Sequence, residues 1–179
     1  MKDADDSPGG KPTILILCTA NRGRSPATEA ILRRMLSQKG LGDRVQVLSA
    51  GLCAYELNRA GLPADETTAA VAARLGLDLS NHVVRPLTLA MVEQAALIIV
   101  MEEWQARVLH TACRDWQLDV VTLRELEGNT EDPDTPDTAG LAIADVEGFF
   151  AEAERCLSAG LRAGPLANLV GSLPPVVSS

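Results

Sequence analysis

Residues 15–26 read Leu-Ile-Leu-Cys-Thr-Ala-Asn-Arg-Gly-Arg-Ser-Pro: an apolar run that stops at Cys18, a short polar loop, and a Ser-Pro pair of the kind that opens helices. A chain with this order turns sharply between a buried strand and a helix. Five residues separate Cys18 from Arg24, enough to curl the backbone N–H groups around one point above the sulfur. The spacing therefore predicts an anion pocket built from Thr19, Ala20, Asn21, Arg22, Gly23 and Arg24, with a cysteine in its floor and a helix N-terminus behind it. Gly23 lets the backbone approach a ligand closely, and Ser25 is expected as N-cap with Pro26 in the first turn.

The bare Cys-x5-Arg spacing is not enough, because it recurs from Cys53 to Arg59 and from Cys156 to Arg162. The first recurrence places Glu56 among the residues that would cradle an anion. The second falls in a helical stripe, where backbone N–H groups are already bonded. Both cysteines are read as structural. A nucleotide-type phosphate loop is excluded by the missing Gly-Lys-[Ser/Thr].

The residue types then assign a chemistry. Converging amides, the positive end of a helix and Arg24 all favour a thiolate at Cys18. The planar guanidinium of Arg24 can hold two phosphoryl oxygens at once, a geometry lysine cannot reproduce. The expected reaction is in-line attack of Cys18 on a phosphate monoester, giving a phosphocysteine that water hydrolyses. Amides and arginine neutralise the anion, so no metal or cofactor is expected. A carboxylic acid over the pocket is still needed to protonate the leaving oxygen and later to activate water.

The rest of the chain sets the frame. Its 179 residues are 46% hydrophobic but only 3% aromatic, so one domain with a core of Leu, Val, Ile and Ala is expected. A formal charge of −8 argues against nucleic acid or an anionic membrane as partner. The sequence has no apolar stretch of spanning length and no signal-peptide pattern at its start, so a cytoplasmic location is expected. The four cysteines are far apart and lack zinc-ligand spacing, which predicts free thiols and no metal site.

Short apolar runs at 13–18, 45–50, 97–101 and 120–123 read as strands. Helical spacing links Ala27, Ile31 and Met35 up to Gly40, and Asp65 caps an alanine-rich run that closes at Gly76. The longest helix is expected over 142–163, with Val146, Phe149, Phe150, Ala153, Leu157 and Gly160 on one stripe. Alternating strands and helices imply an α/β fold with a parallel sheet covered on both faces and a ligand site beyond the carboxyl ends of its strands. Residues 1–11 read as a disordered lead, 12–163 as the domain and 164–179 as a loose tail. The polar segment 124–140, holding Asp132, Asp134 and Asp137, is long enough to reach across the site.

Over 12–163 the sequence resembles the low-molecular-weight protein tyrosine phosphatase family. The motifs that carry the likeness are residues 18–26, the turn Ser49-Ala50-Gly51, the segment His82-Val83-Val84-Arg85-Pro86-Leu87 and the strand 97–102. The resemblance implies a doubly wound, four-stranded parallel sheet, phosphocysteine chemistry and a phosphorylated protein or peptide as substrate, in a monomer or weak dimer. It gives Asn21, Ser25, Ser49 and His82 a supporting role under the loop. It favours Asp137 as general acid, with Asp132, which keeps the family's Asp-Pro dipeptide, as the alternative.

Two loop positions depart from the family: Ala20 replaces a glycine and Gly23 replaces a second cysteine. Without that cysteine, peroxide is expected to drive Cys18 up the oxidation ladder. Tyr55 is expected to form one wall of the substrate slot, and Arg22 to attract acidic or multiply phosphorylated substrates. A phosphoarginine phosphatase on the same scaffold, an arsenate reductase and a non-catalytic phosphate-binding adaptor are the competing readings.

Overall fold

The computed structural model describes residues 10–173. Strand β1 (Thr13–Cys18) is buried along its whole length, between β2 (Gln46–Gly51) on one side and β3 (Ala95–Val100) on the other. With β4 (Val120–Thr122) at the edge beside β3, the order is β2-β1-β3-β4 and every pairing is parallel. Apolar residues in a parallel strand must be covered on both faces, and β1 divides its side chains accordingly. Ile14 and Ile16 join one core with helices α1 (Arg24–Gln38) and α5 (Ile143–Gly160); Leu15 and Leu17 join the other, with α3 (Leu89–Gln94) and α4 (Glu103–Ala112).

The remaining helix of the first half, α2 (Glu66–Arg74), starts where Asp65 accepts hydrogen bonds from the Thr67 and Thr68 amides. The stripe expected on α5 is buried, with Cys156 added to it. Each expected strand is present within two residues of its predicted bounds.

Two expectations about local structure are corrected. Helix α1 begins at Arg24, with Gly23 as N-cap and no side-chain cap bond, because the Ser25 hydroxyl is taken by Asn21 Nδ2 and by Cys18 Sγ. The tail is not loose over its first part, since Gly164–Gly171 forms helix α6. Gly164 (φ 83°) breaks the chain after α5, Pro165 opens the new helix, and Leu166 is fully buried with Leu169, Val170 and Leu173 against the same core. Burying one leucine contributes about 2 kcal/mol, enough to hold a short helix that would be marginal alone. The expected lead over 1–9 and the tail over 174–179 lie outside the described residues.

The sheet delivers Cys18 and Gly51 side by side at its carboxyl end. A Cβ on Gly51 would come within 2.9 Å of the Ala20 carbonyl carbon and 3.1 Å of the Asn21 nitrogen, so the cysteine loop closes against a position only glycine can fill. The Leu52 and Cys53 amides then bond the carbonyls of Cys18 and Thr19, stitching the loop to the turn after β2.

Candidate active site

The loop between β1 and α1 folds back on the sulfur. Asn21 takes the left-handed conformation (φ 56°), which reverses the chain and brings its own N–H to 3.2 Å from Cys18 Sγ. Ser25 Oγ is 3.0 Å from the same sulfur. Among the described residues no protein acceptor takes the amides of Ala20, Arg22, Gly23 or Arg24. Amides without a protein partner in a loop that folds back on a sulfur at a helix N-terminus can hold an oxyanion.

Asn21 pays for its strained backbone with its side chain, which is completely buried. Its Nδ2 donates to Ser25 Oγ and Ser49 Oγ, both at 2.9 Å, while its Oδ1 accepts the Arg85 amide at 3.0 Å. Ser49 in turn donates to the carboxylate of Glu29, a 7% exposed residue of α1 that also pairs with Arg33 at 2.8 Å. The expected supports Asn21, Ser25, Ser49 and His82 thus come together, and Glu29 and Arg85 complete a set that the sequence reading missed. The signal for Glu29 was weak: a carboxylate four residues before an arginine on an otherwise buried helix face.

His82 Nε2 lies 2.8 Å from the Asn21 carbonyl oxygen, to which the neutral Nε2–H tautomer donates. It points at the backbone of the loop and makes no contact with the sulfur. Burial pushes its pKa below the usual histidine value, against the opposing pull of the Asn21 bond and the Glu29 charge; Arg85 adds to the lowering. A lowered folded pKa means that the unfolded chain binds the proton more readily. The stability tied to neutral His82 is therefore present above about pH 6.5 and is lost as pH falls through the folded value. Thermal melts are expected to lose more of their midpoint between about pH 7.5 and 5.5 in the wild type than in His82→Gln, whose amide keeps a donor for the carbonyl.

Arg24 is 2% exposed, and its fork is divided. Nη1 donates to Glu102 Oε1 at 2.6 Å and to the Thr135 carbonyl at 2.7 Å, which anchors one edge of the guanidinium. Nε has no hydrogen-bond partner, and Nη2 has only a long 3.4 Å contact to Thr19 Oγ1. This edge, whose only carboxylate contact is the 3.4 Å ion pair of Nε with Asp137 Oδ1, can take two oxygens of a tetrahedral anion. Glu102 is itself held by the Trp104 indole, whose Nε1 donates to Oε2 at 2.8 Å. Neither Glu102 nor Trp104 carries a sequence signal for this role, because Arg24, the group they hold, lies 78 residues before Glu102.

The segment 124–140 puts the two candidate acids in different surroundings. Thr135 fixes it to the sheet end, its N–H donating to Met101 O at 2.7 Å while its carbonyl accepts from Arg24, and Asp134 Oδ1 accepts the Glu103 amide. Two residues on, Asp137 lines a cleft of about 220 Å³ with Cys18, Thr19, Ala20 and Arg24, its Oδ1 3.4 Å from Arg24 Nε. Asp132 is not on that cleft; it pairs with Arg124 Nη1 at 2.6 Å on the outer surface. Arg124 also binds Glu152 of α5, so the Asp132 contact belongs to the anchoring of the segment.

Tyr55, expected as a wall, is 77% exposed and does not line the cleft. Leu57 and Arg59 from the same loop do, with left-handed Asn58 (φ 52°) turning the chain between them. The opposite wall is Thr138 and Ala139. Thr138 fills the space beside Gly23: a Cβ there would come 2.7 Å from its Oγ1, so a side chain at this position, such as the cysteine that the resemblance leads one to expect, requires Thr138 to shift.

The other Cys-x5-Arg pairs form no comparable pocket. Cys156 is fully buried in α5, where burial and the nearby Glu127 push its thiol up to about 12. Cys53 is also raised, by burial and by Glu56. Both are poor nucleophiles at neutral pH.

A parallel α/β sheet that ends in a cysteine floored by free amides, with an arginine fork and a carboxylate at the same cleft, defines the class of cysteine-dependent phosphatases. The chain belongs to the low molecular weight phosphotyrosine protein phosphatase family, whose model matches residues 13–163. It is 36% identical over 115 residues to the probable low molecular weight protein-tyrosine-phosphatase EpsP of Ralstonia solanacearum, covering 64% of this chain and 72% of EpsP. It is 32% identical over 113 residues to the protein-arginine-phosphatase of Bacillus subtilis, covering 63% of this chain and 70% of that protein. The solved structure of Vibrio vulnificus Wzb in complex with benzylphosphonate superimposes with a TM-score of 0.70 at 25% identity, over 86% of this chain and 99% of Wzb. Among the described residues no helix is long and apolar enough to cross a membrane.

Proposed function

We propose that this chain hydrolyses phosphotyrosine in proteins or peptides through a phosphocysteine formed on Cys18. The observation that carries the reading is the convergence on one cleft of Cys18 Sγ, the open Nε–Nη2 edge of Arg24 and the Asp137 carboxyl. The cradle amides and the Arg24 edge hold three phosphoryl oxygens, which leaves the phosphorus facing the sulfur for in-line attack. The Cys18 sulfur forms the S–P bond as the P–O bond to the tyrosyl oxygen breaks, and Asp137 gives that oxygen its proton. Asp137, now a carboxylate, takes a proton from water as water attacks the phosphocysteine, releasing phosphate and the thiolate. The Asn21, Ser25 and Ser49 hydrogen bonds keep the amides aimed throughout, so the cradle needs no reorganisation when charge shifts.

The assignment of the acid has its own test. Asp137→Asn is expected to lower kcat by about 10²-fold or more and to remove the fall in rate with rising pH that a proton donor imposes, whereas Asp132→Asn stays within about twofold of the wild type. The loss at Asp137 is expected to be greater with phenyl phosphate than with para-nitrophenyl phosphate, whose leaving group needs the proton less. A loss confined to Asp132→Asn would transfer the role.

One observation favours a second reading, phosphoarginine: the cleft walls carry small or aliphatic side chains, Leu57, Thr138 and Ala139, and no aromatic ring. Arg22 and Arg59 on the same cleft count against it, since a guanidinium leaving group would enter beside two like charges. Matched phosphotyrosine, phosphoserine and phosphoarginine peptides separate the readings. The phosphotyrosine peptide is expected to have the highest kcat/KM; a preference for phosphoarginine would replace this proposal with the second reading.

A further inference from the structure

Most arginines of the described chain are spent on carboxylates, as in the pairs Arg34–Glu154, Arg74–Glu147 and Arg155–Glu127. The two at the mouth of the cleft are not. Arg22 uses only its Nε, donating to the Pro63 carbonyl at 3.2 Å, and no described carboxylate lies within salt-bridge distance of its terminal nitrogens. Arg59 is exposed, and no described residue forms a hydrogen bond or ion pair with its guanidinium.

Neither described carboxylate on the same cleft pairs with them. Asp65 Oδ1 accepts the Thr67 and Thr68 amides at the start of α2, and Asp137 faces Arg24. The mouth thus carries two guanidinium groups that no described carboxylate pairs with, on a protein whose formal charge is −8. An acidic ligand is repelled by the surface as a whole and attracted at this one place, which makes the contact selective for where the anion is delivered.

Position adds a second constraint. Arg22 belongs to the cradle loop itself, and Arg59, two residues beyond Leu57, lines the same cleft. A group that reaches both is attached close to the phosphorylated side chain. We propose that Arg22 and Arg59 form an anion subsite that takes a carboxylate or a second phosphoryl group on a residue flanking the phosphotyrosine. Acidic phosphopeptides are then the preferred substrates, and lysine-flanked ones are disfavoured. This rests on the phosphotyrosine reading above and adds to it a sequence preference.

The test uses four phosphotyrosine peptides that differ only in the flanking position: glutamine, glutamate, phosphoserine and lysine. Each is measured on the full chain and on Arg22→Ala, Arg59→Ala and the double variant. The readout is kcat/KM relative to the glutamine peptide within the same variant, a ratio that cancels any change in the chemical step. The wild type is expected to favour glutamate by about tenfold and to disfavour lysine. The glutamate ratio is expected to move toward one in each single variant, to reach one in the double variant, and to shrink as NaCl is raised from about 0.05 to 0.5 M. Equal gains for glutamate and phosphoserine identify charge alone as the feature bound; a greater gain for phosphoserine identifies the phosphoryl group.

A wild-type ratio of one, or a ratio that survives in the double variant, overturns the subsite and leaves the phosphotyrosine reading standing. Turnover of none of the four peptides overturns both.

Discussion

Cys18→Ser is expected to reduce hydrolysis of a phosphotyrosine peptide by at least about 10⁴-fold while the protein still folds and binds inorganic phosphate. Serine keeps the size of the side chain, and its hydroxyl can still meet the Asn21 amide and Ser25 Oγ, both within 3.2 Å of the native sulfur. What it lacks is the more nucleophilic sulfur. No base stands ready to ionise the hydroxyl, since His82 is turned to the Asn21 carbonyl. The cradle amides and Arg24 are untouched, so binding persists. Steady-state kinetics with a phosphotyrosine peptide, paired with calorimetric titration of phosphate, check both halves. Residual turnover above about one per cent of wild type would mean that the sulfur is not the attacking atom.

Arg24→Lys is expected to cost about 10³-fold in kcat/KM, even though the charge is kept. The native fork performs two tasks on different edges: Nη1 is anchored by Glu102 and the Thr135 carbonyl, leaving Nε and Nη2 for the phosphoryl group. A lysine ammonium in this buried position is drawn to Glu102 and cannot reach two phosphoryl oxygens from there. The same substitution unpins Thr135, and through it the segment that carries Asp137, so kcat and KM are both expected to worsen. Because Arg24 is 2% exposed, a stability loss of about 1–3 kcal/mol is expected with it. A melt recorded beside the kinetics separates the two effects. A lysine variant within tenfold of wild type would show that bidentate geometry does not matter here.

The unit from β1 through the loop to α1 is legible in sequence because its constraints are local. An apolar run, a cysteine, a loop of fixed length and a helix start all fall within about a dozen residues, and short-range spacing decides them. Helix α5 is legible for the same reason, through its stripe. Helix α6 is hidden in a segment that reads as a loose tail, although Leu166, Leu169, Val170 and Leu173 carry helical spacing.

What sequence reasoning misses is long-range. Glu29 matters because Ser49, 20 residues away, donates to it, and Glu102 because Arg24 meets it across two strands of the sheet. A carboxylate in either place looks like any other until the fold pairs it. Tyr55 shows the converse error. Its aromatic ring makes it the obvious wall, yet left-handed Asn58 turns the loop so that Leu57 and Arg59 line the cleft. The different surroundings of Asp132 and Asp137 are long-range too, since the anchors at Asp134 and Thr135 set which of the two lines the cleft.

The central claim is that the phosphoryl group passes through Cys18. Rapid acid quench of the wild-type enzyme in its first turnover of a radiolabelled phosphotyrosine peptide, followed by proteolysis and mass spectrometry, tests it most directly. The account predicts one phosphoryl group on the peptide that contains Cys18, formed as fast as tyrosine is released and absent from Cys18→Ser. Label on another residue, or tyrosine released in a burst with no protein-bound phosphate, would contradict it.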